Sequence, residues 1–191
     1  MEKFAFTLQS QSDVEAYIAD CSTRYERELL VEIIALIKAG DQEQLTWFGG
    51  FGDSLRQILM NVNEYRHALG FGFAEIAFNR YGWFASPKFL DFEEISLGQS
   101  YIRIGRGPNG SWAYALSRQY GTAGASGPLC VFCKKYPDRD TALAHALAEI
   151  KADMTKYLGH PDTTNYKQDV LHQTLKAIAA MEVSRAQLSL F

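Results

Sequence analysis

The chain is poor in residues that announce a chemistry. Three cysteines in 191 residues are too few, and odd in number, for a disulfide framework, so a reducing, cytoplasmic setting is expected. The four histidines, His67, His145, His160 and His172, form no H-x-x-x-H or H-E-x-x-H spacing, and no paired-carboxylate motif accompanies them. Metal-dependent hydrolysis therefore has no local signature, and neither a metal nor a cofactor is expected. Apolar runs stop after a few residues, as in Ile33-Ile34-Ala35-Leu36-Ile37, whereas a membrane-spanning helix needs ~20. No membrane is expected as a partner. Met1-Glu2-Lys3-Phe4 lacks the basic start, apolar stretch and cleavage site of a secretory leader, which again fits the cytoplasm.

What is present suits a folded chain: 47% hydrophobic and 21% charged residues, with a net charge of −3. The charge is unevenly spread. Residues 95–137 contain Arg103, Arg106, Arg118, Lys134 and Lys135 and not one Asp or Glu. Tyr101, Trp112, Tyr114, Tyr120, Phe132 and Tyr136 interleave with them. Cations for phosphates and aromatic faces for bases are what nucleic-acid contact requires. Core packing explains the aromatics equally well.

Periodicity predicts a short strand over Phe4–Leu8. A capping box at Ser12-Asp13-Val14-Glu15 then opens one long amphipathic helix through Val14, Tyr17, Ile18, Cys21, Tyr25, Leu29, Ile33 and Ile37 to a stop at Gly40. Trp47 to Gly52 is too glycine-rich for a helix. Asp53 or Ser54 caps a second helix with the face Leu55, Ile58, Leu59, Val62, Tyr65 and Leu69, ending at Gly70. Residues 71–84 are β-like. Tyr101–Gly105 and Ser111–Ser117 flank a Gly107-Pro108-Asn109-Gly110 turn and form a hairpin. Gly121–Gly127 connects to a further strand, Leu129–Cys133. Asp138 opens a helix with the face Ala142, Leu143, Ala146, Leu147, Ile150, Met154 and Tyr157, and a last helix starts near Thr164. The expected class is α+β: an antiparallel meander packed on amphipathic helices, one domain over residues 1–183 and a flexible docking tail over 184–191.

If Cys130 and Cys133 lie on a strand, residues three apart face opposite ways, so these sulfurs are expected as separate buried thiols. Gly121–Gly127 leads into a strand and not a helix, and so reads as a tight connection and not a phosphate loop. His145 with Glu149 one turn on reads as a solvated pair. The glycine-aromatic segments 47–52 and 70–84 either pack the core or line an apolar pocket.

The last residues carry a resemblance. Gln187-Leu188-Ser189-Leu190-Phe191 resembles the pentapeptide by which bacterial proteins dock on the β sliding clamp of DNA polymerase, and agrees with it at all five positions. The resemblance implies a partner and no particular fold. Leu188, Leu190 and Phe191 would enter an apolar groove while the Gln187 amide bonds at its mouth. Tyr120–Ser126, followed by Tyr136-Pro137-Asp138-Arg139-Asp140 and an alanine-rich helix, resembles modules of uncharacterised plasmid- and phage-borne DNA-metabolism proteins.

Three function classes follow as expectations. The first is a non-enzymatic accessory factor of DNA metabolism, in replication, repair or mobile-element maintenance. Its tail would bind the clamp, and Arg103, Arg106, Arg118, Lys134 and Lys135, with Trp112 or Tyr114 stacking, would bind DNA. The second is a small enzyme acting on DNA or nucleotides and tethered to the clamp, its catalytic residues unassigned. The third is a small-ligand-binding or clamp-inhibitory protein.

Overall fold

A computed structural model describes residues 8–21 and 23–188. It is an α+β structure, as the sequence predicts: six helices and one antiparallel four-stranded sheet of order β1-β2-β3-β4 among the described residues. The chain divides into two compact units, one holding residues up to 70 together with 74–86, the other holding 71–73 and 87 onward.

The first unit is helical. The long helix predicted from Val14 to Ile37 is in fact two, α1 (Leu8–Asp20) and α2 (Arg24–Ala39). Thr23 breaks it. Its backbone is extended, with φ −103° and ψ 146°. Its hydroxyl donates to Glu26 Oε2 (2.5 Å), and Arg27 Nη2 donates to the Cys21 carbonyl (3.4 Å). Thr23 is the N-cap residue of α2 without a side-chain cap hydrogen bond, while the Ser12 box lies inside α1. The predicted Phe4–Leu8 strand falls almost wholly outside the described residues; Leu8 itself begins α1. Gly40 ends α2 as expected, in the left-handed conformation (φ 67°).

Helix α3 (Gln42–Gly49) includes Trp47, Phe48 and Gly49, which composition alone excludes from a helix. Asp41 supplies the cap, accepting from the Gln44 amide (3.0 Å). Helix α4 (Leu55–Leu69) is capped by Ser54 and ends at Gly70, as predicted. Its buried stripe includes Ile58, Leu59, Val62 and Tyr65, with Asn61 and Ala68 buried beside them, whereas Leu69 is exposed.

Residues 74–84 are not strands; one isolated bridge joins Phe78 and Phe84. Side chains consume the backbone groups a strand would need. Asn61 Nδ2 donates to the carbonyls of Phe51 (2.6 Å) and Gly82 (2.8 Å), and Asn61 Oδ1 accepts from the Phe84 amide (2.9 Å). Asn79 Oδ1 accepts from the amides of Tyr81 and Trp83. Trp47, Phe51, Tyr65, Phe78 and Phe84 meet mostly edge to face around this loop. Of the glycine-aromatic segments, Phe48, Phe51, Phe71 and Phe84 are buried while Ile76, Phe78, Tyr81 and Trp83 are exposed, and Phe51, Phe78 and Gly82 also line a small cavity of about 160 Å³ beside Gly50 and Gln57.

The second unit carries the sheet. Strand β1 (Leu90–Leu97) has no counterpart among the elements predicted from sequence. Its register shifts between Leu90 and Glu93, a bulge at which Asp91 takes φ 48°. Strands β2 (Ser100–Arg106) and β3 (Trp112–Gln119) form the predicted hairpin. Gly107 admits the chain there: a Cβ on it would collide with the Phe71 carbonyl oxygen. The fourth strand is β4 (Gly124–Ser126), inside the glycine-rich connection, and residues 129–133 are not a strand. The Tyr120 amide bonds the Ala123 carbonyl (2.9 Å), turning the chain back along β3. Residues 130–133 instead close a turn, the Cys133 amide reaching the Cys130 carbonyl (3.0 Å).

Helix α5 (Arg139–Lys156), capped by Asp138, lies on β2 and β3, burying Ala142, Leu143, Ala146, Leu147, Ile150 and Met154 as predicted. Helix α6 (Gln168–Leu188) packs on α5 and β1 and begins four residues later than expected. Ile102, Ile104, Leu116, Leu147, Ile150 and Ile178 lie in the core between sheet and helices. Helix α6 continues through residues 184–188, where the docking tail is expected to begin, while Ser189, Leu190 and Phe191 lie outside the described residues.

Candidate functional site

Alternation along β3 decides which side chains meet α5. Tyr114, Leu116 and Arg118 share one face of the strand. On α5, His145, Glu149 and Asp153 recur every fourth residue and line the edge of the helix above them. A third wall comes from Lys134 and Tyr136. The segment is pinned to the sheet because Trp112 and Tyr136 exchange both backbone hydrogen bonds, each 2.8 Å. Between these walls lies an open cavity of about 480 Å³.

The polar groups of the groove form one connected network. The Tyr136 hydroxyl donates to that of Tyr114 (3.4 Å), which donates to Glu149 Oε2 (2.6 Å). Arg118 is ion-paired with both Glu149 and Asp153 and largely buried between them. The Tyr114 and Tyr136 rings stack at 5.4 Å, His145 lies 5.0 Å from the Tyr136 ring, and Lys134 Nζ sits 5.5 Å from its centroid. Burial raises the Tyr114 phenol well above the ordinary tyrosine range, and its hydrogen bond to Glu149 adds to the effect. Glu149 holds a phenol on one oxygen and a guanidinium on the other. The groove thus presents hydrogen-bonding groups and aromatic faces side by side.

No known protein family, curated protein or solved structure matches this chain.

The structure brings together only some of the residues predicted to touch nucleic acid. Tyr114, Arg118 and Lys134 line the groove. Trp112 does not line the groove; it is partly buried against the core and bridges Tyr136 through the backbone. Arg103 lies on the other face of the sheet, because it pairs with Ala115 and so alternates away from Tyr114. There it contacts Glu94 (3.1 Å), the Gly127 carbonyl (3.2 Å) and the Tyr101 hydroxyl (2.9 Å). Arg106 pairs with Asp91 (2.6 Å) at the bulge, and Lys135 lies over the Phe71 ring at 5.1 Å.

The acid-free stretch 95–137 is therefore not acid-free in space: β1 and α5 supply Asp91, Glu94, Glu149 and Asp153 to its three arginines. His145 and Glu149 are both exposed, as expected of solvated side chains, and also line the open groove; the 3.6-residue spacing that places them off the apolar stripe aims them at β3. Gln187 is exposed in the last turn of α6, and the placement of Leu188, Ser189, Leu190 and Phe191 side chains lies outside the described residues.

The two sulfurs of the C-x-x-C motif are the plainest correction. With residues 130–133 in a turn, Cys130 Sγ and Cys133 Sγ are 4.0 Å apart, and the alternation that separates residues on a strand does not apply. Among the described residues, no group of three or more His, Cys, Asp or Glu side chains is placed to hold a metal ion. No helix among them is long and apolar enough to cross a membrane.

Proposed function

We propose that this chain is a cytoplasmic, non-catalytic accessory factor of DNA metabolism that binds the β sliding clamp through Gln187-Leu188-Ser189-Leu190-Phe191 and nucleic acid through the groove between β3 and α5. The pentapeptide carries the reading. Two leucines and a phenylalanine offer apolar anchors, and a few buried anchors account for most of the affinity in short-peptide recognition. Exposure of Gln187, and of Val183 one turn before it (59%), is compatible with an accessible end of α6.

For the nucleic-acid half, Lys134, which lines the groove, and its neighbour Lys135 are the phosphate contacts, and Tyr114, with Trp112 two residues before it on the same face of β3, is the stacking surface. Arg103, Arg106 and Arg118 have the weaker claim, since carboxylates already hold all three. Fluorescence anisotropy with a labelled single strand tests it. Affinity should fall linearly in log–log form with salt, and replacing Lys134 or Lys135 by alanine should flatten the slope by about one for each phosphate no longer neutralised. Absence of binding at low salt, or a salt-independent signal, contradicts this half. Pull-down on immobilised clamp tests the other half: the full chain is retained and the chain lacking residues 187–191 is not.

The groove itself favours a second reading. A cavity of about 480 Å³ with two tyrosine hydroxyls, a carboxylate and a histidine at its wall is of the size that holds small polar ligands. A clamp-bound protein that competes with polymerase and has no affinity for DNA would be this second kind.

A further inference from the structure

Cys130 and Cys133 occupy the first and last positions of a tight turn. The Cys133 amide donates to the Cys130 carbonyl (3.0 Å), a geometry that keeps the two Cα atoms within ~7 Å, the range a disulfide can bridge. The sulfurs are 4.0 Å apart, and the Cys130 amide donates to Cys133 Sγ (3.5 Å). Both thiols are free and only half-buried, whereas Cys21 is buried. Phe132, inside the turn, is 50% exposed, so the turn lies at the protein surface. Pro128 precedes it and places a carbonyl 3.9 Å from Cys133 Sγ.

We infer that Cys130 and Cys133 form a redox-active dithiol, which closes to an intramolecular disulfide by exchange with a low-molecular-weight disulfide. The inference is independent of clamp or nucleic-acid binding. Cys130 begins the exchange: desolvation raises the Cys133 thiol above its ordinary value and keeps it protonated. The Cys130 thiolate attacks one sulfur of the reagent, forming a mixed disulfide and expelling one thiolate. Cys133 then loses its proton and attacks Cys130 Sγ, expelling the second reagent thiolate. Two protein thiols and one reagent disulfide become one protein disulfide and two reagent thiols. Two electrons pass to the reagent, and its two thiolates take up the two protons. A loop this short adds little chain-closure entropy, so the turn geometry itself must bring the sulfurs together.

The test is thiol counting on the native full chain. After incubation with oxidised glutathione, the protein is unfolded in acid, alkylated and mapped by mass spectrometry. The expected result is a fall from three alkylatable cysteines to one, Cys21, with Cys130 and Cys133 in one cross-linked peptide and full recovery on adding dithiothreitol. Cys133→Ser should instead accumulate glutathione on Cys130, because the resolving thiol is gone. Three thiols remaining in the wild type, a stable glutathione adduct on it, or a cross-link through Cys21 overturns the inference.

Discussion

The Tyr114 hydroxyl donates a 2.6 Å hydrogen bond to Glu149 across 35 residues of sequence. That bond joins β3 to α5 and makes the groove a chemical unit. Because burial and the carboxylate raise the phenol, the native state retains a proton that the unfolded chain gives up. The stabilisation is fully present below the unfolded tyrosine value of ~10. It is lost as pH climbs from there toward the folded value. Denaturant titrations at rising alkaline pH should show stability falling, and the Tyr114→Phe variant should lose part of that slope. An identical slope in the variant contradicts the assignment.

How much of this is legible in the sequence follows from where the interactions lie. Helix α5 is readable almost residue by residue, since Asp138 and the six buried positions from Ala142 to Met154 are local and periodic. The hairpin is readable from its turn. The groove is not, because Arg118 finds Glu149 and Asp153 only through the packing of α5 on β3. Strand β1 escapes for a related reason. Its charged residues, Asp91, Glu93 and Glu94, obscure alternation and find their partners on β2 and α5. Residues 129–133 resemble a strand in composition, but the Cys133–Cys130 backbone bond turns them.

Asn61 is the single polar side chain on which residues 74–84 most depend. It is 1% exposed and satisfies three backbone groups, those of Phe51, Gly82 and Phe84. Asn61→Ala leaves all three without that partner, at about 2–4 kcal/mol of unfolding free energy. Urea unfolding of the variant measures it. A change under about 0.5 kcal/mol, the usual scale of an ordinary surface substitution, would mean the loop is held some other way.

Arg139, at the start of α5, grips Glu93 of β1 with two hydrogen bonds of 2.8 and 2.6 Å. The guanidinium's hydrogen bonding holds the Glu93 carboxyl below its ordinary value of 4.5. This contribution is present above that value and disappears as pH drops through the lowered one. Since both side chains are more than a third exposed, solvent screening limits the pair to about 0.5–1 kcal/mol. Glu93→Gln should therefore be destabilised by that amount at neutral pH and converge with the wild type in acid. A difference that persists unchanged in acid would point to packing and not charge.

The most direct measurement is a binding isotherm between purified β sliding clamp and the full chain, alongside the Leu190→Ala/Phe191→Ala double variant. Saturable binding by the wild type, and at least a tenfold weakening in a variant with unchanged circular dichroism and thermal midpoint, is the predicted result. Equal affinity of the two proteins, or no binding by the wild type, contradicts recruitment through the pentapeptide.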